Sequence, residues 1–166
     1  MNLTFFHFAL YIGFTWGTNI AFNLLYVLKT RLSSLARYDV PVDGGILLRD
    51  GRRLLGDSTT LPGLGVALVC SYAISCTSYA MLYAIPLLVY LGHLVGSFIK
   101  RRMGKGDGQF VIGIDHGDYM VMTGIVLGGI GIISWQLALA GILFTYIVHP
   151  IATLVTFRLG LRKYPY

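Results

Sequence analysis

The sequence contains no glutamate, and it has little charge of either sign. Only 12% of its 166 residues are charged, against about a quarter in a soluble domain. The chain is 55% hydrophobic, with a mean hydropathy of +0.70. A water-soluble fold of this length cannot hide so much apolar surface in one core, whereas lipid can solvate it. Cysteine is also scarce. Cys70 and Cys76 both fall within an apolar stretch, which excludes a disulfide framework and a thiolate metal site and reads as buried apolar filler. No basic segment precedes the first apolar stretch, and that stretch ends in Lys29 rather than a small-residue cleavage site. No cleavable signal peptide is expected. The net charge of +6 does not indicate nucleic acid, because the basic residues occur only beside apolar spans.

Five apolar spans can be drawn, at about 5–28, 62–79, 81–99, 119–134 and 136–157. Each is close to the roughly 20 residues a membrane-spanning helix needs. The expected fold class is therefore all-α: a polytopic integral membrane protein with about five transmembrane helices, forming one membrane domain over residues 1–166. The basic residues sort by span. Six lie between spans one and two, four between spans three and four, and three after span five, which accounts for all 13. The N-terminus and the other two turns have none. With five helices the three basic segments share one side, and basic loops stay cytoplasmic. This predicts cytoplasmic loops at about 29–61 and 100–117, a cytoplasmic tail at about 158–166, and an external N-terminus in the cell membrane. All seven acidic residues are Asp (39, 43, 50, 57, 107, 115 and 118), and all fall in the first or second of those loops. Both signs of charge thus gather where a water-soluble substrate could meet a lipid.

Three constellations suggest chemistry. The first loop holds Asp43-Gly44-Gly45 and then Asp50-Gly51-Arg52-Arg53-Leu54-Leu55-Gly56-Asp57-Ser58. Glycine lets backbone amides approach a ligand, and Arg matches phosphate oxygens in a fork, so Arg and Asp together suit a nucleotide triphosphate with its metal. A basic loop with turn glycines is the plainer alternative. In the third span His93, Ser97 and Lys100 are spaced i, i+4, i+7 and share a helical stripe leading to Arg101 and Arg102. His93 as a helix-interface donor and Lys100 as a snorkelling anchor are the alternatives. Asp115 and Asp118, at i and i+3, open the fourth span. They suit either a helix cap or a carboxylate pair for Mg²⁺ completed by substrate phosphates. His149 precedes Pro150 in the fifth span, where a kink could open a polar pocket.

Taken in order, Asp50–Ser58, Gly96-Ser97-Phe98-Ile99-Lys100-Arg101-Arg102, Asp115-His116-Gly117-Asp118-Tyr119 and the ending Leu159–Tyr166 resemble the CDP-archaeol synthase family, with His149 matching that family's upstream histidine. The resemblance runs over nearly the whole chain, and bacterial relatives of the family exist. It implies a CTP-dependent cytidylyltransferase that transfers CMP to a lipid phosphate of the archaeol type, or a related phosphatidate, releases pyrophosphate and needs Mg²⁺. It implies CTP, a membrane lipid phosphate and the bilayer as partners, and no nucleic acid. Oligomeric state is not legible. The implied catalytic residues are Lys100, Asp115, Asp118 and Ser97. Arg52, Arg53, Asp57, Ser58, Asp43, Arg101 and His149 would bind nucleotide or substrate. Asp115, Asp118 and His93 would hold metal. The chain departs from the family pattern at His93, where an Asp is usual, and at Thr59, where a Lys is usual. Those two departures leave a second reading open, a non-catalytic relative that binds lipid headgroups or a partner.

Overall fold

The computed structural model describes residues 5–32, 37–106 and 109–160. Among the described residues are five α-helices: α1 (Phe5–Arg31), α2 (Leu61–Ser75), α3 (Ile85–Arg102), α4 (Ile114–Gly129) and α5 (Trp135–Arg158), with a short 3₁₀ turn at Ala80–Leu82 before α3. Among the described residues the only strand-like pairings are two isolated bridges, Pro41 with Thr60 and Leu47 with Arg53. The all-α expectation holds. Among the described residues two segments, Ala80–Arg102 and Trp135–Arg158, are long and apolar enough to cross a membrane. The predicted tail falls mostly on residues 161–166, outside the described residues, as does Asp107.

Proline and serine set several helix starts. Pro62 and Pro86 occupy the first turns of α2 and α3, where a missing N–H costs nothing. Ser134 caps α5 by accepting a hydrogen bond from the Leu137 amide. α5 runs through Pro150 to Arg158 as one helix. Span four differs from expectation. Its helix covers 114–129 rather than 119–134, so Asp115 and Asp118 are helical residues and not loop residues. Hydropathy misplaced it because these charges are paired inside the bundle. Span two also ends early, at Ser75. Cys76 caps that helix and is exposed, and Cys70 is half-buried, so neither is core filler.

The most extensive seams are α3 with α4 and α4 with α5. Tyr11, Ile85, Val89, Tyr119, Met120, Leu127 and Leu137 form the core between them. Among the hydrogen bonds that cross-link the bundle are Tyr11 Oη with Thr123 Oγ1 at 3.1 Å and Trp16 Nε1 to Thr145 Oγ1 at 3.0 Å, which tie α1 to α4 and α5. The outward faces are apolar as well. Leu139, Leu143, Ile147 and Ile151 form an exposed i+4 row on α5, as expected of a helix solvated by lipid.

Glycine sets the closest approach. A Cβ on Gly92 would lie 2.6 Å from Tyr119 Cα and 2.8 Å from the Asp118 carbonyl, and one on Gly96 would strike the Asp118 carboxylate. Small residues at this seam let α3 and α4 meet backbone to backbone. Gly13 on α1, by contrast, has nothing within 4 Å of its missing Cβ. Gly92→Ala is therefore expected to destabilise the protein by about 1–3 kcal/mol, because backbone must move. Gly13→Ala should stay within about 0.5 kcal/mol. Thermal unfolding in detergent checks both.

Candidate active site

Over residues 37–60 the first loop is folded, not slack. Around Asp50-Gly51 the chain reverses: the Gly51 amide donates to the Leu48 carbonyl at 2.9 Å, and the Leu54 amide to Ile46 at 2.9 Å. Gly51 sits at φ +72°, a turn conformation that glycine adopts without strain. Asp43 organises the loop from within. Its side chain is fully buried and accepts from Arg53 Nη2 at 2.7 Å, Arg53 Nε at 3.3 Å, the Leu55 amide at 2.9 Å and the Gly45 amide at 3.1 Å. Burial alone would raise its pKa. The Arg53 hydrogen bond, the two amides and the Arg53 charge outweigh that and hold it at about 2. Arg53 also pairs with exposed Asp57 at 2.8 Å, and these two carboxylates raise the guanidinium pKa further.

This loop docks on the end of α3. Arg52 Nη1 donates to the Arg102 carbonyl at 2.6 Å and to the Arg101 carbonyl at 3.4 Å. Arg102 reaches back to Asp50 at 2.5 Å and to the Arg53 carbonyl. Loop one and the basic end of α3 therefore occupy one end of the bundle. At that end Lys29, from the last turn of α1, pairs with Asp39 at 2.5 Å and donates to Thr60 Oγ1 at 3.3 Å.

The α3–α4 seam carries the second cluster. Lys100 Nζ lies 2.7 Å from Asp115 Oδ1, and Asp115 Oδ2 accepts the Val111 amide at 2.6 Å. One turn further along, His93 Nδ1 lies 3.3 Å from Asp118 Oδ1, which also accepts the Tyr119 amide at 2.7 Å. Asp118 meets α3 at Gly96, about 9 Å short of the end of α3, whereas the Lys100–Asp115 pair lies within about 3 Å of that end. Neither Asp caps α4 with its side chain. The N-cap is Gly113, whose carbonyl accepts the Tyr146 hydroxyl from α5.

His149 is buried, and its Nδ1 lies 3.0 Å from His116 Nδ1. Since His116 is near the start of α4 and His149 is nine residues from the end of α5, α5 overshoots α4 by about 10 Å. Sequence reading did not assign a role to His116, Tyr146 or Lys29. His116 lies inside the Asp115–Tyr119 motif, and Lys29 is, with Arg31, a cation in the last turn of α1. Ser58 is exposed beside Asp57, and Thr59 is buried and donates to the Gly56 carbonyl at 3.1 Å.

The structure thus brings Lys100, Asp115, Asp118 and His93 into one cluster, and Asp43, Arg53 and Asp57 into another. Arg52 ties the second group to Arg101 and Arg102. Ser97 and Arg101 both reach the Leu55 carbonyl, at 3.0 and 2.7 Å. Among the described residues no three His, Cys, Asp or Glu side chains converge as a metal site. The Asp115 and Asp118 carboxylates still suit a hard cation. Mg²⁺ is commonly held by one or two carboxylates, with substrate phosphates and water supplying the remaining ligands. His93 and the Tyr119 amide both meet Asp118 at Oδ1, and Oδ2 lies at the Gly96 face.

A family model described as "CarS-like: CDP-archaeol synthase" matches residues 78–166. The CDP-archaeol synthase of Sulfurisphaera tokodaii is 29% identical over 89% of this chain and 96% of its own length. That of Thermococcus gammatolerans is 32% identical over 76% of this chain and 82% of its own. A solved structure, described as an intramembrane enzyme for archaeal membrane lipids biosynthesis, superposes with a TM-score of 0.56. It is 27% identical, over 79% of this chain and 90% of that one.

The Asp43 hub gives the loop a defined acid limit. A carboxylate whose folded pKa lies below its unfolded value stabilises above the unfolded value and stops doing so as pH falls through the folded one. With 3.8 as the ordinary value and about 2 in the fold, loop one should hold at pH 4 and above and loosen between about 4 and 2. Limited pepsin digestion across that range should show cleavage within 37–60 appearing only near the lower end. Asp43→Asn should already be cleaved at about pH 4.

Proposed function

The chain belongs to the CDP-archaeol synthase family, and from that premise we propose that CTP is bound between loop one and the α3–α4 seam, with transfer occurring beside Lys100, Asp115 and Asp118. It is a membrane cytidylyltransferase: CMP passes from CTP to a lipid phosphate, pyrophosphate leaves, and a CDP-lipid forms. The family places this protein with enzymes, so the catalytic reading takes precedence over that of a headgroup-binding relative.

The observation that carries the site assignment is the 2.7 Å Lys100–Asp115 pair beside Asp118, at the same end of the bundle as the Arg52 and Arg53 loop. A lipid phosphate oxygen attacks the α-phosphorus of CTP in line, a new P–O bond forms, and the bond to pyrophosphate breaks. Such transfer depends on positioning and charge, and needs no covalent protein nucleophile. Lys100 donates to the transferring phosphoryl oxygens. Arg53 exchanges its exposed partner Asp57 for the outer phosphates, and Arg52 stands beside it with exposed Asp57 and Ser58 at the rim. Asp115 and Asp118 would hold Mg²⁺, which when bound offsets phosphate charge. His93, 3.3 Å from Asp118, fixes that carboxylate's orientation. His149 with His116 lines the α5 side.

All five helices crossing the bilayer is part of this proposal, with the N-terminus outside and loop one, the α3–α4 loop and the C-terminus cytoplasmic. The distribution of Lys and Arg supports that orientation. At about 22 and 24 Å, α2 and α4 are shorter than a hydrocarbon layer of roughly 30 Å, which brings the polar loops down toward the lipid phosphates. The lipid chains would run in the lateral apolar groove between α1 and α2, at Gly13, Gly17, Ala73 and Ile74.

CDP-lipid formation from labelled CTP tests this. Lys100→Ala should lower kcat by about 10²–10³-fold, the usual loss when one donor to a developing oxyanion is removed. Equal rates in the two proteins would remove Lys100 from the reaction.

A further inference from the structure

The run Lys100-Arg101-Arg102 sends its three side chains in three directions. Lys100 turns to Asp115 on α4. Arg102 turns to the hairpin, pairing with Asp50 and lying over the Phe98 ring. Arg101 turns inward and is only 6% exposed. Its Nε donates to the Leu55 carbonyl at 2.7 Å, and its Nη1 donates to the Lys105 carbonyl at 2.6 Å. One guanidinium therefore joins the loop before α2 to the loop after α3. Ser97, one turn earlier and 3% exposed, donates to the same Leu55 carbonyl at 3.0 Å. Leu55's amide is meanwhile held by Asp43 at 2.9 Å. Leu55 is thus fixed at both its N–H and its C=O, midway between Arg53 and Asp57.

We infer that Ser97 and Arg101 are positioning residues acting through the Leu55 carbonyl: they clasp loop one to α3 and set where Arg53 stands, without touching substrate. The inference rests on the reading of Arg53 as a triphosphate ligand. It separates this pair from Lys100, although all three lie within one turn of α3. Burial supports the separation. A guanidinium 6% exposed and spent on two backbone carbonyls presents little to a triphosphate, whereas Lys100 is paired with a carboxylate it can exchange.

The chemistry of Arg and Lys makes the two roles distinguishable. A phosphate contact needs mainly charge, which Lys supplies. The clasp needs nitrogens at two depths along the side chain, Nε for Leu55 and Nη1 for Lys105, and a single ammonium cannot occupy both. The test compares wild type with Ser97→Ala, Ser97→Thr, Arg101→Lys and Arg101→Gln. Amide hydrogen exchange is read without nucleotide, and initial rates are then read against CTP. Expected is about tenfold faster exchange at the amides of Leu48, Leu54 and Leu55 in Ser97→Ala and Arg101→Lys, the scale of one lost charged or buried hydrogen bond. Exchange in the α4 core, Met120 to Leu127, should not change. KM for CTP should rise about tenfold with kcat nearly constant, and Ser97→Thr should restore both. Because the two donors share one acceptor, the Ser97→Ala and Arg101→Gln effects should fall short of adding in the double variant.

Unchanged loop exchange would overturn the clasp. So would an Arg101→Lys protein with normal KM beside a defective Arg101→Gln protein, since that pattern marks a direct phosphate contact. Acceleration spread equally over α4 would also overturn it, making both residues general supports of the fold. The exchange measurement needs no turnover. Loss of the clasp with normal CDP-lipid synthesis would therefore count against this inference alone. Absence of synthesis by wild type, with the exchange result as expected, would count against the proposed function alone.

Discussion

The α3–α4 contact at Gly92 and Gly96 is the constraint from which the rest follows. With no Cβ on either residue, the two helices meet at backbone distance, and the Asp118 carboxylate occupies the space a side chain at position 96 would fill. That contact sets the register of α4 against α3. The register puts Asp118 level with His93 and Asp115 level with Lys100. A slip of one turn would separate both pairs and leave two partly buried carboxylates without their partners across the seam. Gly117 repeats the device on the other side of α4, where the Tyr146 ring lies against it and the Tyr146 hydroxyl ties the Gly113 carbonyl. α4 is thus gripped from two sides at its charged end.

Loop one depends on the same end of α3 in a different way. Its order comes from polar bonds rather than apolar burial: Ile46, Leu47 and Leu48 are exposed, while Asp43 is buried. Asp43 gathers Arg53, Leu55 and Gly45, and α3 then receives the assembled loop through Arg52, Arg101 and Arg102. Short Asp side chains suit this work. They reach backbone amides within the turn they stabilise, and they lose less rotamer freedom than Glu would.

Much of this was legible in the sequence, for physical reasons. The cost of placing charge in hydrocarbon forces Lys, Arg and Asp to the ends of spans, so their positions along the chain reveal which segments meet. Periodicity placed His93, Ser97 and Lys100 on one face of α3. The position of α4 was not legible, because hydropathy treats Asp115 and Asp118 as solvated loop residues although each is paired across the seam. Nor was the division of labour in Lys100-Arg101-Arg102. Three adjacent cations look alike in a sequence, and only tertiary structure shows that the middle one is buried under a loop 46 residues earlier. The His116–His149 contact spans 33 residues and joins two helices, so no local pattern announces it.

The pairing of Lys100 with Asp115 has a consequence for how ligands arrive. Before any ligand enters, each of these charges is already satisfied by the other. An anion that captures the ammonium must strand a carboxylate, and a cation that captures the carboxylate must strand an ammonium. Either newcomer alone bears the cost of breaking the pair, and the two together share it. On the proposed reading, opposite charges would be recruited jointly at this end of the bundle, and each would strengthen the other's hold by the same factor.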